Sequence, residues 1–147
     1  NMKMKKLICV MALVCIGILL VSCGSNRLGD PKAQLMRDFG LNIEKKDCVL
    51  EELFNNYEGV PYEGIALYKL TIGEDVHQAF LQWERFPFSE EAECFLESLS
   101  AYAELPPIAD GYWKMVDRNP GTSAYTNVSL CVYDEATGAT YLLTMDI

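Results

Sequence analysis

The fold is decided by residues 126–147, TNVSLCVYDEATGATYLLTMDI. Apolar and polar side chains alternate through residues 126–133, which is the two-residue period of a β-strand. Residues 134–138 are polar turn formers that end in a glycine, which can adopt a positive φ angle. The largely apolar residues 140–147 follow as a returning strand. This stretch predicts a β-hairpin on which an antiparallel sheet can be built.

Two or three further segments extend the predicted sheet. Residues 112–118 lie just before the hairpin and have the composition of a strand. Residues 65–72, IALYKLTI, form the clearest strand pattern in the first half of the chain. Residues 47–54 are a possible further strand, but the adjacent Glu51 and Glu52 make them a poor central one.

Three segments carry helix signals. Asp30 and Pro31 suit the N-cap and first position of a short helix that ends at Gly40. Residues 74–85 place apolar side chains near one stripe, which predicts a second helix. Ser89 suits the N-cap of a third, because acidic residues follow it and complement the positive end of the helix dipole.

The predicted fold class is α+β, an antiparallel sheet of four to five strands with two or three helices packed on one face. Residues 30–147 are predicted to form a single domain. A domain of this size can bury about two thirds of its unfolded surface around one core.

The N-terminus has the features of a bacterial lipoprotein signal. Three lysines within residues 2–6 precede residues 7–21, which are nearly all apolar and too few for a membrane span of about 20 residues. The stretch Leu20-Val21-Ser22-Cys23 closes this run and is similar to the lipobox of bacterial lipoproteins. The alternatives are an uncleaved anchor helix and an ordinary secretory signal cut elsewhere.

The lipobox implies how the mature protein is held. Residues 1–22 are expected to be cleaved, and the Sγ atom of Cys23 to carry a diacylglyceryl group, with its new amine open to acylation. Two or more acyl chains anchor a protein stably, whereas one does not. Residues 23–29 then form a tether on the extracytoplasmic face of the cell membrane. No other cofactor is expected.

Charge restricts the class of partner. The chain has 12 basic and 21 acidic residues, a net charge of −9. Three of the lysines belong to the predicted signal, so the mature part has nine basic residues against 21 acidic ones, a net charge of −12. A surface this acidic argues against nucleic acid as a partner and favours a basic peptide or protein.

The cysteines give no metal signal. Beyond Cys23 the mature chain holds Cys48, Cys94 and Cys131, an odd number that cannot all pair within one molecule. Their apolar neighbours favour buried free thiols, and one disulfide plus one free thiol is the alternative. No Cys-x-x-Cys motif or Cys/His spacing typical of zinc is present, so no metal site is predicted.

No catalytic group is assigned from the sequence. His77 is the only histidine, and no Gly-x-Ser-x-Gly motif is present to partner it. Glu58 and Glu63 are a conceivable carboxylate pair for a hydrolase. Because the mature chain has 21 acidic residues, such pairs are expected by chance.

Candidate interaction residues come from two features. Asp117 and Arg118 lie at the end of a predicted strand, where they could present a recognition group or form a structural ion pair. Exposed aromatic side chains are common anchors for protein partners, although aromatic residues on strands usually pack in the core. The aromatic candidates are Tyr57, Tyr62, Tyr112 and Trp113.

The chain resembles small lipobox-bearing lipoproteins of Firmicutes-type bacteria whose function is not established. The resemblance covers most of residues 65–147 and implies the same organisation, with no activity attached. It rests on the lipobox and on Trp83 with Phe86-Pro87-Phe88, Gly111-Tyr112-Trp113, Asp117-Arg118, Tyr133-Asp134 and Asp146.

These observations favour a lipid-anchored, non-enzymatic interaction module of the bacterial cell envelope, one suited to a basic peptide or protein. A small envelope hydrolase that uses carboxylates is the alternative. A structural envelope protein is a third class, and it would form homo-oligomers.

Overall fold

A computed structural model describes residues 30–43, 48–59, 63–122 and 124–147. The predicted signal peptide (residues 1–22), Cys23 and the tether (residues 23–29) therefore lie outside the described residues. Pro31–Ile147 form one compact unit. Within the described part of the chain, no helix is both long and apolar enough to cross a membrane.

The described residues form one antiparallel sheet of six strands in the order β1-β2-β6-β5-β4-β3. The predicted hairpin, the strand before it and both earlier strands are confirmed, and the strand count exceeds the predicted four to five by the two-residue β3. The strands are β1 (Cys48–Asn55), β2 (Gly64–Ile72), β3 (Glu84–Arg85), β4 (Gly111–Asp117), β5 (Asn127–Asp134) and β6 (Ala139–Asp146).

Three α-helices occur among the described residues: α1 (Pro31–Phe39), α2 (His77–Phe80) and α3 (Glu90–Leu99). The start of α1 at Pro31 and its end before Gly40, which has φ +67°, match the sequence prediction. The Ser89 hydroxyl accepts a hydrogen bond from the Ala92 backbone N–H at 3.2 Å, so the predicted N-cap of α3 is also confirmed.

The predicted helix over residues 74–85 is wrong in extent. A 3₁₀ turn (Glu74–Val76) leads into α2, which is only four residues long. Glu84 and Arg85 instead form β3 and pair with Trp113 and Tyr112 of β4. Pairing with a distant strand outweighs the local helical pattern, because β4 would otherwise be left as an unpaired edge there.

The prediction that the helices pack on one face is also wrong, because they cover both faces of the sheet. Leu35 of α1 and Phe80 of α2 pack in a cluster with Leu142, whereas Phe95 of α3 packs in a second cluster with Leu143. Successive strand residues point to opposite faces, and both leucines of β6 are fully buried. The central strands therefore carry apolar side chains on both faces.

Candidate interaction surface

Arg118 lies at the centre of an ion-pair cluster that joins α1 to the sheet. Its Nη1 donates a hydrogen bond to Ser129 Oγ, and its Nη2 donates to Asp146 Oδ1 and, at 3.3 Å, to the Met145 carbonyl oxygen. Asp38 of α1 completes the cluster, with Oδ2 at 3.8 Å from Nη1. The Arg118 side chain is 22% exposed, so most of it is held inside the protein.

A buried hydrogen-bond network continues the Arg118 cluster beneath α1. Gln34 Nε2 donates to Ser129 Oγ at 2.7 Å and to Thr144 Oγ1 at 3.1 Å, and the two hydroxyl oxygens lie 2.8 Å apart. All three side chains are buried. Buried polar groups require partners, so this network fixes the orientation of α1 on the sheet.

Tyr57, in the loop after β1, forms a hydrogen bond to the Arg118 cluster. Its hydroxyl donates a hydrogen bond to Asp146 Oδ2 at 2.7 Å. Burial raises the pKa of the Tyr57 hydroxyl well above its ordinary value, and the hydrogen bond to the Asp146 carboxylate raises it further. Tyr57 is therefore a donor in the folded protein rather than an exposed anchor for a partner.

Replacing Tyr57 with phenylalanine is expected to lower the free energy of unfolding by about 1 kcal/mol at neutral pH, because the hydrogen bond to Asp146 is lost. The raised pKa of Tyr57 means that the native state resists losing this proton. Stability from this group is present below the ordinary tyrosine pKa of about 10 and is lost as the pH rises above it.

The difference between the wild type and Tyr57→Phe should therefore shrink between about pH 8 and pH 11. Urea unfolding at both pH values measures it. Tyr102→Phe is the control, because Tyr102 is 55% exposed and its removal should change little at either pH. An equal Tyr57 effect at the two pH values would contradict this assignment.

Asp117 and Arg118 do not pair with each other. Arg118 pairs with Asp146 and Asp38, whereas Asp117 is exposed and accepts a hydrogen bond from the Asn119 backbone N–H at 2.8 Å. Of the two roles considered from the sequence, the structure favours the structural ion pair. The Arg118 guanidinium is occupied within the fold.

The prediction that Tyr112 and Trp113 belong to an exposed aromatic patch is wrong. Adjacent on β4, these side chains point to opposite faces and are buried in different clusters. Trp113 Nε1 donates to the Pro87 carbonyl oxygen at 3.3 Å, and the Arg85 guanidinium lies 5.3 Å from the Tyr112 ring centre. Tyr62 lies outside the described residues.

Glu58 and Glu63 are brought together by the backbone. They form an isolated antiparallel bridge in which each N–H donates to the carbonyl oxygen of the other, at 3.0 and 3.2 Å. Directly opposed residues in such a pair have adjacent side chains on one side of the ribbon. Both glutamates are exposed.

His77 packs among aromatic rings. Its ring centre lies 4.9 Å from that of Tyr133 and 6.1 Å from that of Phe80, and it is half-buried. This is a packing role on the α2 side of the sheet. In the ranges that the structure describes, no group of three or more His, Cys, Asp or Glu residues could hold a metal ion.

Cys94 and Cys131 are free thiols. Cys48 and Cys131 are buried as predicted, and burial raises the pKa of the Cys131 thiol. Cys94 is exposed, so the prediction of burial is wrong there. It neighbours the buried Phe95 on α3, but each helical residue is rotated by about 100° from the last, which turns Cys94 toward solvent.

Strand β1 presents an apolar and acidic outer edge of the sheet. It pairs with β2 on one side, and no described strand pairs with its other side. Val49 is 71% exposed, Leu53 44% and Leu50 38%. Glu51 and Glu52 lie between them and are also exposed. We call these residues, 49–53, the β1 edge.

A groove of about 480 Å³ lies beside the β1 edge on the α3 face of the sheet. Glu51 and Leu53 form one side of it, and Glu104 and Leu105 lie in the segment after α3. Register places Glu51 opposite Lys69, and Lys69 opposite the buried Tyr141. The remaining lining residues are Pro106 and Pro107.

Comparison with protein-family models, with curated proteins and with solved structures finds no match.

The β1 edge is the feature that sequence reasoning did not single out as a site. The signal for it was the adjacent Glu51 and Glu52 within an apolar run, which correctly excluded this segment from the centre of the sheet. That signal places the strand at an edge. The exposure of Val49 and Leu53 depends on which distant segments pack against the sheet, and the local pattern does not contain that information.

Proposed function

We propose that this protein is a lipid-anchored, non-enzymatic interaction module on the extracytoplasmic face of the bacterial cell membrane, and that it binds a basic peptide or protein. The lipobox-like stretch Leu20-Val21-Ser22-Cys23 supports the anchor and the location. The net negative charge of the mature chain supports a basic partner.

One observation carries the choice of a basic partner. Arg37, Arg85 and Arg118 all form ion pairs with carboxylates of the same chain, so their charges are neutralised locally. These pairs also neutralise the carboxylates that they use, so the excess of acidic over basic residues sets the outward field, which attracts a basic partner. Exposed acidic residues include Glu51, Glu52, Glu58, Glu63, Glu90, Glu91, Glu93, Glu97 and Glu104.

The anchor is tested by Cys23→Ala. The wild-type chain, expressed in a bacterium that processes lipoproteins, should partition into detergent and carry the added mass of the lipid on residue 23. The variant should lose both properties, because two or more acyl chains supply the anchor. Cys94→Ala is the matched control and should behave as the wild type. Unchanged partitioning and mass in Cys23→Ala would contradict lipidation.

The class of partner is tested with decalysine and decaglutamate, titrated by calorimetry into the full chain in detergent. Decalysine should bind, and its affinity should fall by at least about tenfold between about 50 and 300 mM salt, because screening shortens the range of the attraction. Decaglutamate should not bind. Equal behaviour of the two peptides would contradict an electrostatic interaction module.

A small envelope hydrolase remains the second candidate, favoured by the opposed placement of Glu58 and Glu63. Paired carboxylates can serve as acid and base or as nucleophile. Turnover of a cell-wall or peptide substrate that is lost in both Glu58→Gln and Glu63→Gln would favour this candidate over the interaction module.

A further inference from the structure

The β1 edge has the properties of a surface that accepts another strand. The outward backbone N–H and C=O groups of an edge strand can pair with an extended chain, a known mode of peptide recognition. β1 is eight residues long, whereas the opposite edge strand, β3, has two. Residues 114–117 of β4 lie beyond β3 and also have no described partner strand on that side, so β1 offers the longer continuous run of backbone to an added peptide.

The side chains of the β1 edge restrict the occupant. Register places Glu51 toward the groove on the α3 face, so its neighbour Glu52 points toward the α1 face. Val49 and Leu50 supply one apolar side chain to each face in the same way. A strand lying beside β1 would therefore meet an apolar pair followed by an acidic pair.

Charge argues against a second copy of this chain as the occupant. Pairing β1 with another β1 would bring Glu51 and Glu52 of the two copies together, and like charges on adjacent strands are destabilising. A basic strand would instead place positive side chains against both glutamates. Glu104 lines the same groove as Glu51, so that groove holds two carboxylates, and Lys69 of β2 lies opposite Glu51 in the register.

We propose that the β1 edge binds an extended basic peptide segment, which adds to the sheet as a further antiparallel strand with basic residues against Glu51 and Glu52 and apolar residues against Val49 and Leu50. This inference rests on the proposed function, and it names the site and the mode of binding. Backbone pairing supplies affinity, and the alternating side chains supply selectivity.

The test uses a capped octapeptide in which two adjacent lysines precede two valines, together with two versions that are N-methylated at odd or at even positions. Alternate backbone N–H groups of an added strand point toward β1, and the others point away from it. N-methylation at odd positions and N-methylation at even positions therefore differ, because only one of the two sets blocks hydrogen bonds to β1. One methylated peptide should bind the full wild-type chain at least about tenfold more weakly than the other. Equal affinities of the two would overturn the inference.

Protein variants locate the site. Glu51→Lys with Glu52→Lys should weaken binding of the unmethylated peptide by at least about tenfold. Glu93→Lys with Glu97→Lys makes the same change of charge on the exposed surface of α3 and should leave affinity within about twofold. Equal losses in the two double variants would overturn the site. The methylated peptides keep the test valid if a variant fails to fold.

The outcomes separate this inference from the proposed function. If decalysine binds in a salt-dependent way but methylation parity has no effect, binding of basic partners stands and the β1 edge is not the site. If no basic peptide binds, the proposed function fails as well. Self-association of the wild type, detected as a concentration-dependent dimer by sedimentation and strengthened by mixing it with the Glu51→Lys with Glu52→Lys variant, would place a second copy on the β1 edge and overturn the choice of occupant.

Discussion

Replacing Gly111 with alanine is expected to destabilise the protein by about 3 kcal/mol or more, or to prevent folding. A Cβ atom at this position would lie 1.9 Å from the Tyr133 carbonyl oxygen and 3.0 Å from its carbonyl carbon. These are backbone atoms of the paired strand β5, so they can move away only if the β4–β5 ladder shifts. Urea unfolding measures the loss.

Gly138→Ala is the matched control for Gly111→Ala. Gly138 has φ +71° in the hairpin turn, but a Cβ there would meet no atom within 4 Å. Its replacement should cost about 1 kcal/mol from backbone strain alone. Similar losses of stability at the two positions would contradict a close approach of the β5 backbone to Gly111.

Replacing Arg118 with leucine is the second change with a large expected effect, a loss of about 2–3 kcal/mol, because hydrogen bonds to a partly buried charge are lost. The substitution removes the cation from beside Asp146, whose side chain is 33% exposed, whereas Asp38 keeps its ion pair with Arg37 at 2.9 Å. It also removes the donor to Ser129 Oγ. Breaking a buried ion pair from one side is costly because the remaining charge loses its compensation. Denaturant unfolding at neutral pH measures the change.

Arg85→Leu is the control for Arg118→Leu. Arg85 also pairs with two carboxylates, Asp110 and Glu135, but this pair lies at the surface, with the side chains 56%, 51% and 47% exposed. Solvent screens such pairs, so the loss should be a small fraction of that for Arg118. Equal losses would contradict a structural role for the Arg118 cluster.

Local signals in the sequence predicted the elements whose cause is local. Ser89 caps α3, Gly40 ends α1, and the glycine of the turn before β6 takes the positive φ that the hairpin requires. Residues 74–85 could not be predicted this way. Glu84 and Arg85 are strand residues because of Trp113 and Tyr112, nearly thirty positions later in the sequence.

The sequence contains a signal for a core on both faces of the sheet, although the predicted fold places the helices on one face. Leu142 and Leu143 are adjacent, so one of them must point to each face of the sheet. Two adjacent apolar residues in a central strand are typical of a sheet that is covered on both sides. α1 and α3 supply those two covers.

The role of Arg118 depended on contacts that the sequence does not show. Its partners Asp38 and Asp146 lie 80 positions before it and 28 after it. The strand end favours a structural ion pair over a recognition group, but it does not identify the partners of Arg118. The excess of acidic residues can be counted in the sequence alone. The position of β1 at the edge of the sheet follows only from the order of the strands.

The measurement that tests the central claim most directly is capture of a partner by the full chain, immobilised in detergent and exposed to envelope and secreted fractions of its own host. Salt is the variable, and mass spectrometry identifies what is retained. A basic protein or peptide that binds in stoichiometric amount and is released by salt is the predicted result. A retained partner that is acidic, or one whose binding is unaffected by salt, would contradict the account.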